Sequence, residues 1–228
     1  PGAAAVTVSV VHAAIGLPVT FVERIIDGRT CDVINSRLRP KPERTDPEPL
    51  ARNSVFSYQG AIILGMGFTL APEEKAELIQ NDARNAERIF PYLGGSEVNS
   101  SPTHEFDRYV INFEDMTLDE ARSWPDLLSI VLNKVKPERM KQKDKHGKEY
   151  WWRYLRPRAK LYATLSPLSR CLVTSRVSSH LMFSFQPVDR IFSDGLYVFP
   201  LDSMTSFSIL QSRIHEVWTR LLSSSLED

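Results

Sequence analysis

The residues in this sequence best equipped for chemistry are arginines and aromatics set side by side. Trp151-Trp152-Arg153-Tyr154, with Arg156 and Arg158 close behind, interleaves flat aromatic faces with guanidinium groups. Guanidinium groups seat phosphates, while aromatic faces pack against sugars or against a protein core. Either use is open to each tryptophan, and adjacent tryptophans often divide, one inward and one outward. The run lies inside a basic segment. From Lys134 to Lys160 there are eleven Lys or Arg and three Asp or Glu, a balance of +8. Of the chain's 28 basic and 28 acidic residues, that leaves 17 and 25 elsewhere, a balance of −8. A net charge of zero argues by itself against a nucleic-acid binder. Positive charge gathered into one segment instead suits a phosphate-facing surface, although a solvated helix face would carry the same pattern.

A second polar group stands at Arg176, Ser178, Ser179 and His180, between two apolar, strand-like runs. Arginine can read guanine through two parallel hydrogen bonds in the major groove, and serine can meet a base edge or a phosphate. An ordinary polar hairpin turn would have the same composition.

Catalytic patterns are missing. Gly60, Gly65 and Gly67 in SYQGAIILGMGFTL invite comparison with a nucleotide-binding loop, yet Leu70 stands where a third glycine of the dinucleotide fingerprint belongs. No Gly-Lys-Ser/Thr follows, and no Asp/Asn-Pro-Pro-Phe/Tyr stretch of an amino-methylating enzyme occurs. Glu73 and Lys75 fit a bare Glu-x-Lys nuclease fragment, but acidic residues at a helix start explain them better. The five histidines show no metal-ligand spacing, and Cys31 and Cys171 stand far apart with no CxxC. A zinc site or a disulfide framework is therefore not expected, and a reducing cytoplasm is the simpler setting.

A chain of 228 residues, 42% apolar and 25% charged, can bury a substantial core as one large domain or two small ones. No uninterrupted apolar run approaches the eighteen or so residues that a membrane-spanning helix needs. The apolar opening PGAAAVTVSVVHAAIG lacks the basic flank of a signal peptide. Its start at Pro1 fits a segment of a longer chain, and its alternation over 6–15 predicts a strand.

Asp27-Gly28 between VTFVERIID and RTCDVINSRL predicts a hairpin. RPKPERTDPEP (39–49) predicts an extended connector, and Pro72 followed by Glu73 and Glu74 opens a helix. The stretch 91–103, PYLGGSEVNSSPT, reads as a loop, and 108–113 as a short strand. Thr117 with Glu120 has capping-box spacing. Leu127, Ile130, Val131 and Val135 have helical periodicity, which Pro137 complicates without necessarily ending. RCLVTSRV and HLMFSFQP read as strands, and RIFSDGLYVFPL as a third strand region around Asp194-Gly195. SFSILQSRIHEVWTRLLSS predicts one amphipathic helix with Phe207, Leu210, Ile214, Val217 and Leu221 on its apolar stripe. Strands and helices mix without regular βαβ alternation, so the expected class is α+β.

Taken in order, SYQGAIILGMGFTL, NAERIFPYLGGSEVNSSP, RYVINFEDM, VKPER, WWRY, SRVSSHLMFSF and LQSRIHEVWTRLLSSSLED resemble the target-recognition region of MmeI-like (type IIL) restriction-modification enzymes. In that family one chain combines a nuclease, an N6-adenine methyltransferase and the DNA-reading domain. The resemblance implies that residues 1–39 are the closing β-element of the methyltransferase domain, 40–55 a connector and 56–228 the DNA target-recognition domain. The partner implied is double-stranded DNA, alongside a methyltransferase domain of the same chain and a nuclease domain where one is attached. S-adenosylmethionine, and Mg²⁺ where a nuclease is present, are implied for the full-length chain and not for residues of this segment. On this resemblance Lys134, Lys136, Arg139, Lys141, Arg153, Arg156 and Arg158 would hold phosphates. Arg176, Ser178, Ser179 and His180, the turn at Gly195, and the terminal Glu227 would lie where the family varies its base-reading side chains. The glycines would be backbone devices at the opening of the recognition domain. Competing readings are a protein-interaction module built on the tryptophans and the terminal helix, and a small metal-dependent nuclease using Glu73 and Lys75.

Overall fold

The computed structural model describes residues 23–45, 47–48, 50–105 and 107–222. The strand expected over 6–15 lies outside them. The chain divides between Ala51 and Arg52 into two units, and that point lies within the stretch 40–55.

In the first unit, strands β1 (Arg24–Ile26) and β2 (Arg29–Cys31) form an antiparallel hairpin in which Ile26 faces Arg29. Asp27 and Gly28 both take positive φ, 49° and 74°. Two such residues give the tight turn whose twist matches the strands. Beyond it the Glu43 carboxylate accepts from the Ser36 amide at 2.7 Å and its hydroxyl at 3.0 Å, so the proline-rich connector is pinned without regular structure.

The second unit is α+β. Among the described residues it holds two four-stranded sheets. One contains β3 (Tyr58–Gln59), β10 (Leu196–Phe199), β7 (Arg170–Ser175) and β8 (Ser184–Pro187), in that order and all antiparallel. The other runs β4 (Thr69–Leu70), β6 (Tyr109–Ile111), β5 (Ile89–Leu93) and β9 (Ile191–Phe192), with only β5 and β9 parallel. The RIFSDGLYVFPL region is thus two strands in two sheets, joined by the short turn Ser193-Asp194-Gly195.

The SYQGAI stretch crosses between the same sheets at the same place. Tyr58 and Gln59 pair with β10, the Gly60 amide donates to Leu196 O at 3.0 Å, and the Ala61 amide donates to Phe192 O at 2.7 Å. A β-carbon on Gly60 would sit 2.0 Å from the Ser193 carbonyl oxygen. Close backbone passage, not a phosphate cradle, is what requires glycine there. Gly67 has the same reason: its β-carbon would lie 2.6 Å from that of Lys134. Gly65, at φ 116°, supplies a turn that other residues resist.

Helix α1 (Pro72–Asn81) starts at Pro72 as expected, and the Glu74 carboxylate accepts from the Ala71 amide at 2.8 Å. The stretch expected as a loop at 91–103 is instead the end of β5 followed by α2 (Gly95–Ser100). Pro91 lacks an N–H, but Tyr92 continues the ladder by donating to Arg108 O at 3.0 Å, so tertiary pairing overrides the Pro-Gly-Gly composition. α3 (Leu118–Ala121) carries the expected capping box from Thr117 and Glu120. α4 (Pro125–Lys134) and α5 (Lys136–Lys141) divide at Val135, because Pro137 fits only the first turn of a new helix.

α6 (Lys145–Glu149) and α7 (Ala159–Leu165) bracket the tryptophan run. The single amphipathic helix expected at the end is two, α8 (Met204–Leu210) and α9 (Arg213–Leu222). Its stripe is not buried: Ile214 is 86% and Val217 70% exposed. Phe207 packs against Phe185, and the Leu221 side chain lies outside the described residues.

Two apolar clusters hold this unit together. One joins the β4–β6–β5 sheet to α4 and the tryptophan run. The second packs α7 and Val98 of α2 against β7, β10 and Phe192. Both Trp151 and Trp152 face inward at 7% exposure, so neither offers a face to a ligand. Trp152 Nε1 donates to Met116 O at 2.9 Å, and the Tyr154 hydroxyl donates to Ile111 O at 2.8 Å.

The seam tolerates little change. Gly60→Ala is expected to destabilise this unit by about 1–3 kcal/mol, toward the upper end because the obstacle is backbone. Chemical denaturation measures it, and a loss below about 0.5 kcal/mol would contradict the close passage.

Candidate nucleic-acid interface

The basic segment does not form one continuous row. Arg139 is 1% exposed and belongs to the interior. Its Nε donates to Leu64 O at 3.1 Å, and Nη2 to Ile63 O at 2.8 Å and Arg153 O at 3.1 Å. The irregular backbone at 63–65, where Leu64 and Gly65 have positive φ, leaves carbonyls that no strand satisfies. A buried guanidinium with five donors satisfies them, and burial lowers its pKa from the usual arginine value. The expectation that Arg139 holds a phosphate is therefore corrected: its donors point into the protein.

The other six cations are dispersed. Lys134, at the end of α4, pairs with Glu74 at 3.3 Å, and Lys136 lies with Nζ 5.0 Å above the Trp151 ring. Lys141 is exposed at the end of α5. Arg153 is half-buried, wedged over Tyr150 and Trp152, with Nε donating to Met116 O at 2.8 Å. Arg156 is exposed beside the bridge that its backbone makes with Ile62. Arg158 reaches the sheet seam, where Nε donates to Gly60 O at 3.3 Å and Nη2 to Gln59 Oε1 at 2.7 Å.

The structure brings the Arg176 link and the Asp194-Gly195 turn together. The Arg176 amide donates to Gly195 O at 2.9 Å, and its Nη1 donates to Asp194 O at 3.0 Å. Its guanidinium carbon lies 5.7 Å from the centre of the Tyr197 ring. Arg176 is exposed, and among the described residues no other side-chain hydrogen bond engages its guanidinium. A guanidinium so held keeps further donors, and the group fits two acceptors side by side.

Val177, Ser178, Ser179 and His180 continue outward, all exposed. The loop is shaped from within: Ser175 Oγ donates to Val177 O at 2.9 Å and the His180 amide donates to Ser178 Oγ at 3.2 Å. Asn99 Nδ2 donates to Val177 O at 3.0 Å, and Arg220 Nη2 donates to Ser179 O at 3.3 Å. Gly195 contributes backbone only, its amide donating to Ser193 Oγ at 3.2 Å. Glu227 lies outside the described residues.

Sequence reasoning missed three residues here. Gln59 donates through Nε2 to Asp194 O at 3.3 Å while accepting from Arg158, so Arg158, Gln59, Asp194 and Arg176 make one hydrogen-bonded row. Beside the row, Glu97 and Arg108 form an ion pair. Burial opposes charge on Glu97, but hydrogen bonds from Arg108 and Ser96 and from backbone amides hold its carboxyl below the ordinary range. The nearby Tyr92 hydroxyl is pushed up to about 12, chiefly by burial, and stays protonated at neutral pH. All three lie in stretches that the sequence singled out, but at Gln59 the glycines drew the attention, and nothing local pairs Glu97 with Arg108.

Of the two residues of the Glu-x-Lys fragment, Glu73 is exposed in the first turn of α1, and Lys75 Nζ sits 3.8 Å above the Tyr109 ring. Among the described residues no group of three His, Cys, Asp or Glu side chains is placed to hold a metal ion, and no helix is long and apolar enough to cross a membrane.

Residues 48–228 match the family described as "MmeI, target recognition domain". No curated protein matches the chain. A solved structure described as the type IIL restriction-modification enzyme MmeI in complex with DNA shares its fold, with a TM-score of 0.63 at 20% identity over 84% of this chain. The match takes in 25% of that chain, so the present sequence spans about a quarter of the relative's length. With four-fifths of its length matched and that fold shared, the chain belongs to the MmeI target recognition domain family.

Proposed function

We propose that residues 56–228 read a sequence in double-stranded DNA and align it for adenine-N6 methylation, with cleavage where a nuclease is present, by domains outside this stretch. The observation that carries this is the exposed Arg176 guanidinium, pinned through Nη1 to the Asp194 carbonyl. Guanine presents O6 and N7 at the spacing a guanidinium fits. The family match and the shared fold with a DNA-bound relative support the same reading. Lys141, Arg156 and Arg158 stand as the phosphate side, with Lys134 and Lys136 at the α4–α5 junction. Residues 1–39 would be the closing β-element of the methyltransferase domain.

S-adenosylmethionine does not fit the glycine segment. Gly60 and Gly67 are packed against Ser193 and Lys134, which leaves no cradle for a cofactor. The methyl donor, and the Mg²⁺ of a nuclease, belong to catalytic domains elsewhere. An adenine amino group is unreachable inside the stack, so the methylating domain must flip the base while this unit fixes the register.

The open face of α9 favours a second contact of a different kind, with protein. Ile214, Val217 and Trp218 are exposed together, and binding through them would resist salt, whereas phosphate contacts release counterions and weaken with it.

Two outcomes test the reading. Arg176→Ala is expected to lower the preference for a bound sequence over random duplex by about 1–3 kcal/mol, roughly tenfold or more, through loss of a bidentate base contact. Equal losses on both duplexes would remove Arg176 from base reading. Arg156→Ala and Lys141→Ala are expected to weaken binding evenly across sequences, each reducing the slope of log affinity against log salt by about one. Filter binding across a salt series reads both, and a binding constant indifferent to salt would favour the protein-contact reading.

A further inference from the structure

The row that ends at Arg176 begins at a residue in strained backbone. Arg158 precedes α7 at φ 61° and ψ 43°, the left-handed region that side chains other than glycine and asparagine avoid. Its guanidinium is held there by Gly60 O and by Gln59. Strain of this kind persists where surrounding contacts over-determine it, and it collects at functional sites. Gln59 is the shared partner. Its Oε1 accepts from Arg158 Nη2 at 2.7 Å, and its Nε2 donates to the Asp194 carbonyl, the same oxygen that receives Arg176 Nη1 at 3.0 Å. Gln59 is itself fixed in β3 opposite Tyr197, whose ring flanks Arg176.

We infer that Gln59 is a positioning residue for duplex reading, one amide group that sets Arg158 and Arg176 in fixed register so that a phosphate contact and a base contact are made together. The inference rests on the proposed reading of DNA. Gln59 touches neither base nor phosphate. It acts by saturating the Asp194 carbonyl and by holding the turn on which Arg176 leans. A reading side chain must be held within a fraction of an ångström, and its neighbours supply that precision.

The two ends of the amide can be separated. Gln59→Leu removes both hydrogen bonds. Gln59→Glu keeps the acceptor for Arg158 but cannot donate to Asp194, and it places a negative charge beside that carbonyl.

The experiment is selection of a duplex library with a randomised central segment, by the wild-type protein, both Gln59 variants, Arg176→Ala, and Gln59→Leu with Arg176→Ala, followed by sequencing. Both Gln59 variants are expected to lose enrichment at the base pair that Arg176→Ala erases, by about three- to tenfold, the scale of one hydrogen bond. The other positions keep theirs. In the double variant Gln59→Leu adds no further loss at that position, because coupled residues are not additive. A purely structural role would weaken all positions together. Unchanged enrichment in both variants, or losses spread evenly over the motif, would overturn the inference. If Gln59→Leu does not fold, the glutamate variant decides alone. If the wild-type protein enriches no sequence at all, the proposed function itself fails, a result distinct from an unchanged Gln59 variant.

Discussion

Much of this structure depends on one close passage of backbone. Where Gly60 crosses the Ser193 carbonyl, the chain leaves the sheet of β3 and β10 and joins Phe192 in the other. The turn Ser193-Asp194-Gly195 makes the reverse journey a few ångströms away. No side chain fits between them, so the two sheets meet backbone to backbone. Arg158, Gln59 and Arg176 all bond to carbonyls of these two crossing strands. An exposed arginine on a free loop would lose much of its binding energy to ordering. One braced by this seam loses less.

The electrostatics follow from the same geometry. A neutral chain can still present a cationic face if its positive residues are grouped, but grouping in sequence is not grouping in space. Arg139 shows the difference. Its donors neutralise no phosphate; they satisfy carbonyls of the irregular 63–65 backbone, more than seventy residues earlier. Lys134 and Arg153 are likewise partly engaged by Glu74 and by Met116 with its aromatic neighbours. Lys141 and Arg156 are left exposed, one at the end of α5 and the other at its bridge with Ile62.

How much of this the sequence showed follows from the range of the interactions involved. Local chemistry was legible: the Asp27-Gly28 hairpin, the proline start at Pro72, the Thr117–Glu120 capping box, and the apolar runs that became β7 and β8. The placement of polar residues between strands pointed to Arg176 and to the Asp194-Gly195 turn separately, but nothing local could show that they bond to each other. Pro91 and Gly94-Gly95 read as loop because their composition argues for it, whereas the ladder to Arg108 and the parallel pairing with β9 come from distant segments. The tryptophans left two orientations open, and the Trp152 bond to Met116 settles one of them only in three dimensions. Periodicity predicted one apolar stripe at the C-terminal end, where the chain breaks into α8 and α9, and periodicity cannot tell a covered stripe from an open one. Gln59 was hidden by its own neighbours, since three glycines nearby drew attention to the backbone.

We propose that an arginine held by the sheet seam reads a guanine. The most direct measurement replaces each guanine of a bound duplex, one at a time, with 7-deazaguanine and compares wild-type protein with Arg176→Ala. One guanine is expected at which loss of N7 weakens the wild-type complex and leaves the Arg176→Ala complex unchanged. Absence of any such position, or equal sensitivity in both proteins, would contradict it.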